Sequence, residues 1–352
     1  MPGLGETTAM LASLRKMSTS PTSSGGRLTV TEAFGANPGH LTMLSYRPRH
    51  SKPGAPLVVV LHGCTQTAEA HALQAGWLTL ADRFGFVVLA PQQSPANNPN
   101  RCFNWFAPGD VVRGAGEVAS IAAMVTHALT EHHLDPGRVF VTGLSAGGAM
   151  TAAMLATYPE LFAGGAVVAG LPYGVARNVQ EAMGVMARGD GRQTDKLRAL
   201  VRDAAGANAL RLSIWHGDAD AVVNVANAKD LARQWTAVLG LDPMPDAQDT
   251  VGRATRSTWR GPDGEAMVEL NVLSGLGHGT PLSTKAADPI GAVAPFMLEA
   301  GCLRRLRSPG SGTSIRSPMG KPKASCAKRR SPRSPLARGP RRRRQAPRSA
   351  KA

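Results

Sequence analysis

Apolar positions along the chain fall into two kinds of run. Pro56-Leu-Val-Val-Val-Leu61, Phe86-Val-Val-Leu-Ala90, Arg138–Val141, Gly165–Ala169, Leu210-Arg-Leu-Ser-Ile-Trp215 and Met267–Val272 are short, continuous and rich in β-branched residues, as expected of strands covered on both faces. Between them, His71–Phe84, Glu117–His133, Ser145–Tyr158 and Asn227–Leu239 read as helices, and a last helix is predicted over Pro289–Ala300. Leu28–Phe34 and Leu41–Tyr46 predict two strands that form a hairpin or an edge pair. Residues 172–208 are irregular and partly helical, which suits a lid or cap insertion. Strands alternating with helices predict an α/β fold whose sheet is mostly parallel, twisted, and covered by helices on both faces.

Charge changes this picture only at one end. The 352 residues carry a formal net charge of +16, which on its own suggests a polyanion binder. Seventeen of the Lys and Arg residues lie between Leu303 and Ala352, where no Asp or Glu occurs, so the rest of the chain is close to neutral. The expected organisation is a flexible segment over residues 1–26, one catalytic-size domain over 27–301, and a disordered basic tail rich in Arg, Ser and Pro over 302–352. Nucleic acid is expected as a partner only through non-specific contact of that tail, including Arg341-Arg-Arg-Arg344. No apolar run reaches the roughly 20 residues of a membrane span, and no secretory signal is expected in the first 26 residues. Of four cysteines, Cys64 and Cys102 fall well inside the domain; they fit no zinc spacing and either pair in an exported protein or stay free in a reducing compartment. No metal ligand set is read from the sequence.

The candidate chemistry centres on Gly143-Leu-Ser145-Ala-Gly147. It stands between an apolar strand and a helix-forming run, the context in which G-x-S-x-G raises a serine to the edge of a sheet as a nucleophile. A serine needs a base, and the base needs an acid to orient it. Two later strand ends supply these in the order Ser, acid, His: Trp215-His-Gly-Asp218-Ala-Asp220 and Gly277-His278-Gly279. His278 is assigned as base and Asp220 as its acid, with Asp218 the rival acid and His216 the rival base. An oxyanion needs preorganised donors, and the backbone N–H groups of Ala146 and Cys64 are assigned to it. Cys102-Phe-Asn-Trp-Phe106 is the densest aromatic cluster in the chain. It is either a wall of the acyl subsite, with Trp105 and Asn104 touching substrate alongside His62, or a hydrophobic cluster that anchors a long loop.

Taken together, Leu61-His-Gly-Cys-Thr-Gln66, Cys102–Phe106, Arg113-Gly-Ala-Gly-Glu117, Gly143–Met150, Ala169-Gly-Leu-Pro-Tyr-Gly174, Trp215–Asp220 and Gly277–Gly279 resemble the poly(3-hydroxyalkanoate) depolymerase-type esterases, a family with feruloyl and acetylxylan esterase relatives. The resemblance covers roughly residues 40–300. It implies an α/β-hydrolase fold, a Ser145–Asp220–His278 triad, no cofactor, and hydrolysis of an ester substrate through an acyl-enzyme. Short-chain 3-hydroxyalkanoate polyesters or oligomers are the implied substrates, with feruloyl or acetyl esters the alternative. It also implies an extracellular enzyme, a cytoplasmic relative being the alternative, and a monomer or small homo-oligomer is expected. Ala294–Gly301 resembles the family's closing helix. The break after it suggests that residues beyond about 302 come from a shifted reading frame or a recent extension, which translation of the other two frames tests.

Overall fold

The computed structural model describes residues 26–300, apart from 206–209 and 287. The expectations for residues 1–25 and for the basic tail lie outside these residues. The central sheet is built from β1 (Thr29–Thr31), β2 (Thr42–Tyr46), β3 (Leu57–Leu61), β4 (Val87–Gln92), β5 (Val139–Leu144), β6 (Gly164–Val168), β7 (Arg211–Gly217), β8 (Ala247–Val251), β9 (Ala254–Arg260) and β10 (Ala266–Leu273). Their spatial order is β1-β2-β4-β3-β5-β6-β7-β10-β9-β8. Neighbours from β4 to β10 run parallel. The strands at the two ends are antiparallel.

The continuous apolar runs occupy the middle of this sheet because both of its faces are covered there. In β3, Leu57, Val59 and Leu61 join the main core, while Val58 and Val60 join a second cluster on the opposite face. Each such side chain contributes on the order of 1.5–3 kcal/mol when fully buried. The second face is closed by α1 (Ala68–Gln74) and α2 (Trp77–Phe84). The main core is covered by α3 (Gly116–Glu131), α4 (Ala146–Thr157), α5 (Val179–Arg188), α6 (Thr194–Ala205) and α7 (Ala226–Val238). Every residue of α4 is buried, and its run of Ala and Gly lets it lie close against β5 and β6.

Two expectations are corrected and a third is made specific. The helix expected over His71–Phe84 is two helices, because Gly76 takes φ 83° and turns the chain between them. The insertion expected over 172–208 is partly helical, as expected, and its described residues pack into the domain. Val175, Ala182, Val185, Leu197 and Val201 are buried in the main core, and Gln234 of α7 bonds both the N–H and the carbonyl of Tyr173. The last helix is absent. Pro295 and the positive-φ backbone of Gly291 (φ 78°) and Phe296 (φ 63°) break it, and the chain instead forms β12 (Met297–Glu299), parallel to β11 (Thr280–Leu282).

Candidate active site

Ser145 is the single residue between β5 and α4, and its backbone takes φ 58° and ψ −117°. That conformation is strained for a residue with a Cβ, so the surroundings must hold it. The Ser145 N–H donates to the Val168 carbonyl and its own carbonyl accepts from Ala149 N–H, each at 2.9 Å. Both flanking glycines are dictated by close backbone approach. A Cβ on Gly143 would stand 2.3 Å from the Gly147 carbonyl oxygen, and one on Gly147 would stand 2.3 Å from the Leu61 carbonyl oxygen. The same contact presses the end of β3 against the start of α4, at the edge of the sheet where ligands of such folds bind.

Asp220 and His278 come to this edge from the loops after β7 and β10. His278 Nδ1 lies 2.7 Å from Asp220 Oδ2. The other carboxylate oxygen, Oδ1, accepts the N–H groups of Val222 and Val223 at 2.8 Å each. Although burial works against the charge, hydrogen bonds from His216 and His278 hold the Asp220 carboxyl well below the usual carboxylate range. Asp218 is exposed and accepts the Gly275 N–H at 2.6 Å, so it braces the histidine loop instead of orienting the ring. The His278 ring meets Phe296 edge-on with centroids 6.1 Å apart, and Phe296 shares a buried cluster with Leu144, the residue before Ser145. No hydrogen bond joins the Ser145 hydroxyl to His278 among the described residues. Catalytic hydrogen bonds are often long in unliganded sites and tighten around substrate.

The loop after β3 runs beside the serine. A Cβ on Gly63 would lie 3.4 Å from the Leu144 carbonyl oxygen. Cys64 in this loop is bonded to Cys102, and Thr65 N–H donates to the Asn100 carbonyl at 2.6 Å, so two loops are tied twice. Of the two alternatives for these cysteines, the structure has them paired. Ala146, the other residue assigned to the oxyanion, is the first residue of α4, where the helix dipole favours negative charge.

The three residues expected to touch substrate are placed differently. His62 is fully buried; its Nδ1–H donates to Gly63 O at 2.8 Å and its Nε2 accepts the Gln93 N–H at 3.1 Å. Burial pushes its pKa down to about 4, so the ring is a neutral brace. Asn104 spends its amide on Glu117 and Asn98, at 2.9 and 3.0 Å. Trp105 is 7% exposed and packs in the main core. These contacts within the protein favour the loop-anchoring alternative for this segment over direct contact with substrate. What the sequence reading missed is the hub of this network. Glu117 is 1% exposed and accepts hydrogen bonds from Gln93 Nε2, Asn104 N–H and Asn104 Nδ2. Its position on the same helical stripe as Ile121, Met124 and Ala128 was the available clue.

A strained serine elbow and an acid–imidazole pair on loops at one sheet edge are the arrangement of an α/β-hydrolase fold. Residues 43–257 match the family model described as esterase PHB depolymerase, and the chain belongs to this family. It is 43% identical to poly(3-hydroxyalkanoate) depolymerase C of Paucimonas lemoignei over 280 residues, covering 77% of this chain and 66% of that protein. It is 34% identical to an acetylxylan esterase of Coprinopsis cinerea over 270 residues, covering 73% of this chain and 70% of that protein. The solved acetyl xylan esterase from Aspergillus awamori superposes with a TM-score of 0.65 at 28% identity, covering 72% of this chain and 94% of that one.

Proposed function

We propose that the chain hydrolyses carboxylic esters through an acyl-enzyme, with Ser145 as nucleophile, His278 as general base and Asp220 as its orienting acid. The observation that carries this reading is the strained Ser145 elbow on the same sheet edge as the 2.7 Å His278–Asp220 pair. Asp220 keeps the proton of His278 on Nδ1, which leaves Nε2 to take the serine proton as Oγ attacks the ester carbonyl. The N–H groups of Cys64 and Ala146 receive the negative charge of the tetrahedral intermediate. His278 then protonates the departing alkoxide, and water repeats the sequence on the acyl-enzyme.

Oligomers of short 3-hydroxyalkanoates are the proposed substrates, supported by the 43% identity to a poly(3-hydroxyalkanoate) depolymerase. Acetyl esters of polysaccharide are the second reading, supported by the fit to the Aspergillus awamori enzyme. Action outside the cytoplasm is proposed because the Cys64–Cys102 disulfide suits an oxidising compartment. A panel of 3-hydroxybutyrate oligomers, acetylated xylan, methyl ferulate and p-nitrophenyl esters tests these readings. The highest kcat/KM is expected on the oligomers, and S145A is expected to be inactive on every ester. Turnover by S145A at the wild-type rate removes the proposal.

A further inference from the structure

His216, the penultimate residue of β7, has no exposed side-chain surface, yet its ring reaches the acid of the proposed triad. Its Nε2 lies 2.7 Å from the Val223 carbonyl and 3.3 Å from Asp220 Oδ2. Both partners are acceptors, so Nε2 carries the proton and shares it between them. A closed ring results. Val223 donates its N–H to Asp220 Oδ1, its carbonyl accepts from His216, and His216 returns to Oδ2 of the same carboxylate. The opposite nitrogen, Nδ1, is buried without a hydrogen-bond partner among the described residues. A buried orphan nitrogen costs stability, and a leucine or phenylalanine in this place would avoid that cost.

We propose that His216 is a positioning residue, which holds the Asp220 carboxylate in the plane that His278 requires by donating from Nε2 to Oδ2. This inference rests on the triad reading above. His278 Nδ1 and His216 Nε2 approach the same oxygen, so the second histidine prevents that oxygen from turning away when His278 moves toward substrate. Val222 and Val223 clamp Oδ1 from the chain's own turn, and His216 supplies the only clamp on Oδ2 besides the base itself among the described residues.

The test compares H216Q, H216N and H216F in the full chain, with active sites counted by a p-nitrophenyl phosphonate that labels the serine. In H216Q the side-chain amide N–H reaches the place of Nε2, while in H216N it stops short and in H216F it is missing. The expected result on p-nitrophenyl butyrate is a loss of kcat per titrated site on the order of 10–100-fold in H216F and H216N, the size of one lost hydrogen bond to a charged group. KM stays within about twofold because the acyl pocket is untouched, and H216Q keeps kcat within about fivefold. Wild-type kcat per titrated site in H216F overturns the inference, as does an equal loss in H216Q and H216N. If H216F does not fold, H216N against H216Q decides. S145A or D220N with wild-type turnover removes the triad reading itself, a result distinct from silence at His216 alone.

Discussion

Asp220 and His278 are 58 residues apart in the chain and 2.7 Å apart in space, joined through Nδ1 of the imidazole. The bond needs an acceptor on the acid side, because Nδ1 must keep its proton for Nε2 to serve as base. D220N places an amide there that can turn its N–H toward the ring and select the wrong tautomer. A fall in kcat of roughly 10⁴ is expected, with KM little changed, by analogy with triads in general. Steady-state kinetics on p-nitrophenyl butyrate measure it, and a loss below tenfold would assign the orienting role elsewhere.

The Cys64–Cys102 bond closes a loop of 38 residues and ties the proposed oxyanion loop to the Trp105 loop. Chain-entropy arguments give a disulfide of this span about 2–4 kcal/mol of stability. C64A/C102A is expected to unfold about 4–15 °C lower than the wild type. Since the Thr65–Asn100 and His62–Gln93 hydrogen bonds remain, measurable ester hydrolysis is expected below that temperature. Thermal unfolding of wild type with and without reductant gives the comparison. An unchanged midpoint would show that the hydrogen bonds alone hold the two loops.

G147A adds one methyl group where the backbone leaves no room, 2.3 Å from the Leu61 carbonyl oxygen and 2.5 Å from that of His62. Both contacts are with backbone, so relief requires β3 and α4 to separate. A destabilisation above about 3 kcal/mol is expected, in the range of severe overpacking. Urea unfolding measures this. G109A, where a Cβ would meet nothing within 4 Å, is the control expected to shift the midpoint little.

The proposed catalytic edge is legible in the sequence because each residue of the proposed triad follows an apolar run of its own. Leu144, Gly217 and Leu273 end buried strands, and Ser145, Asp220 and His278 lie just beyond them. The hairpin of β8 and β9 was invisible for the opposite reason. Ala247-Gln-Asp-Thr-Val251 is exposed at the sheet edge and has no apolar rhythm; it is held by pairing with β9 and by Arg256 on Asp249. The final segment reads as a helix because Ala292, Val293 and Ala294 have helical composition, while Gly291 at positive φ and Pro295 decide otherwise. No motif or apolar rhythm in the sequence tells whether His62 and Asn104 face substrate or brace the loop. Their partners, Gln93 and Glu117, lie far enough along the chain that only the folded state reveals the pairing.

Glu117 gives the clearest pH dependence. Burial pushes its carboxyl up to about 8, outweighing the three donors from Gln93 and Asn104, which pull the other way. In the unfolded chain a glutamate releases its proton near pH 4.3. Between about pH 4.3 and 8 the folded state therefore keeps a proton that the unfolded state has lost, and stability falls as pH rises, by about 1.4 kcal/mol per pH unit. Below this window both states are protonated, and above it both are ionised, so the slope vanishes at either end. E117Q has no proton to lose and lacks the slope. The difference in unfolding free energy, E117Q minus wild type, is expected to climb steadily from pH 5 to 8 whatever its value at pH 5. Urea unfolding at half-unit intervals traces that difference, and a flat line would mean that the carboxylate is already ionised in the folded protein and stabilised by its three donors.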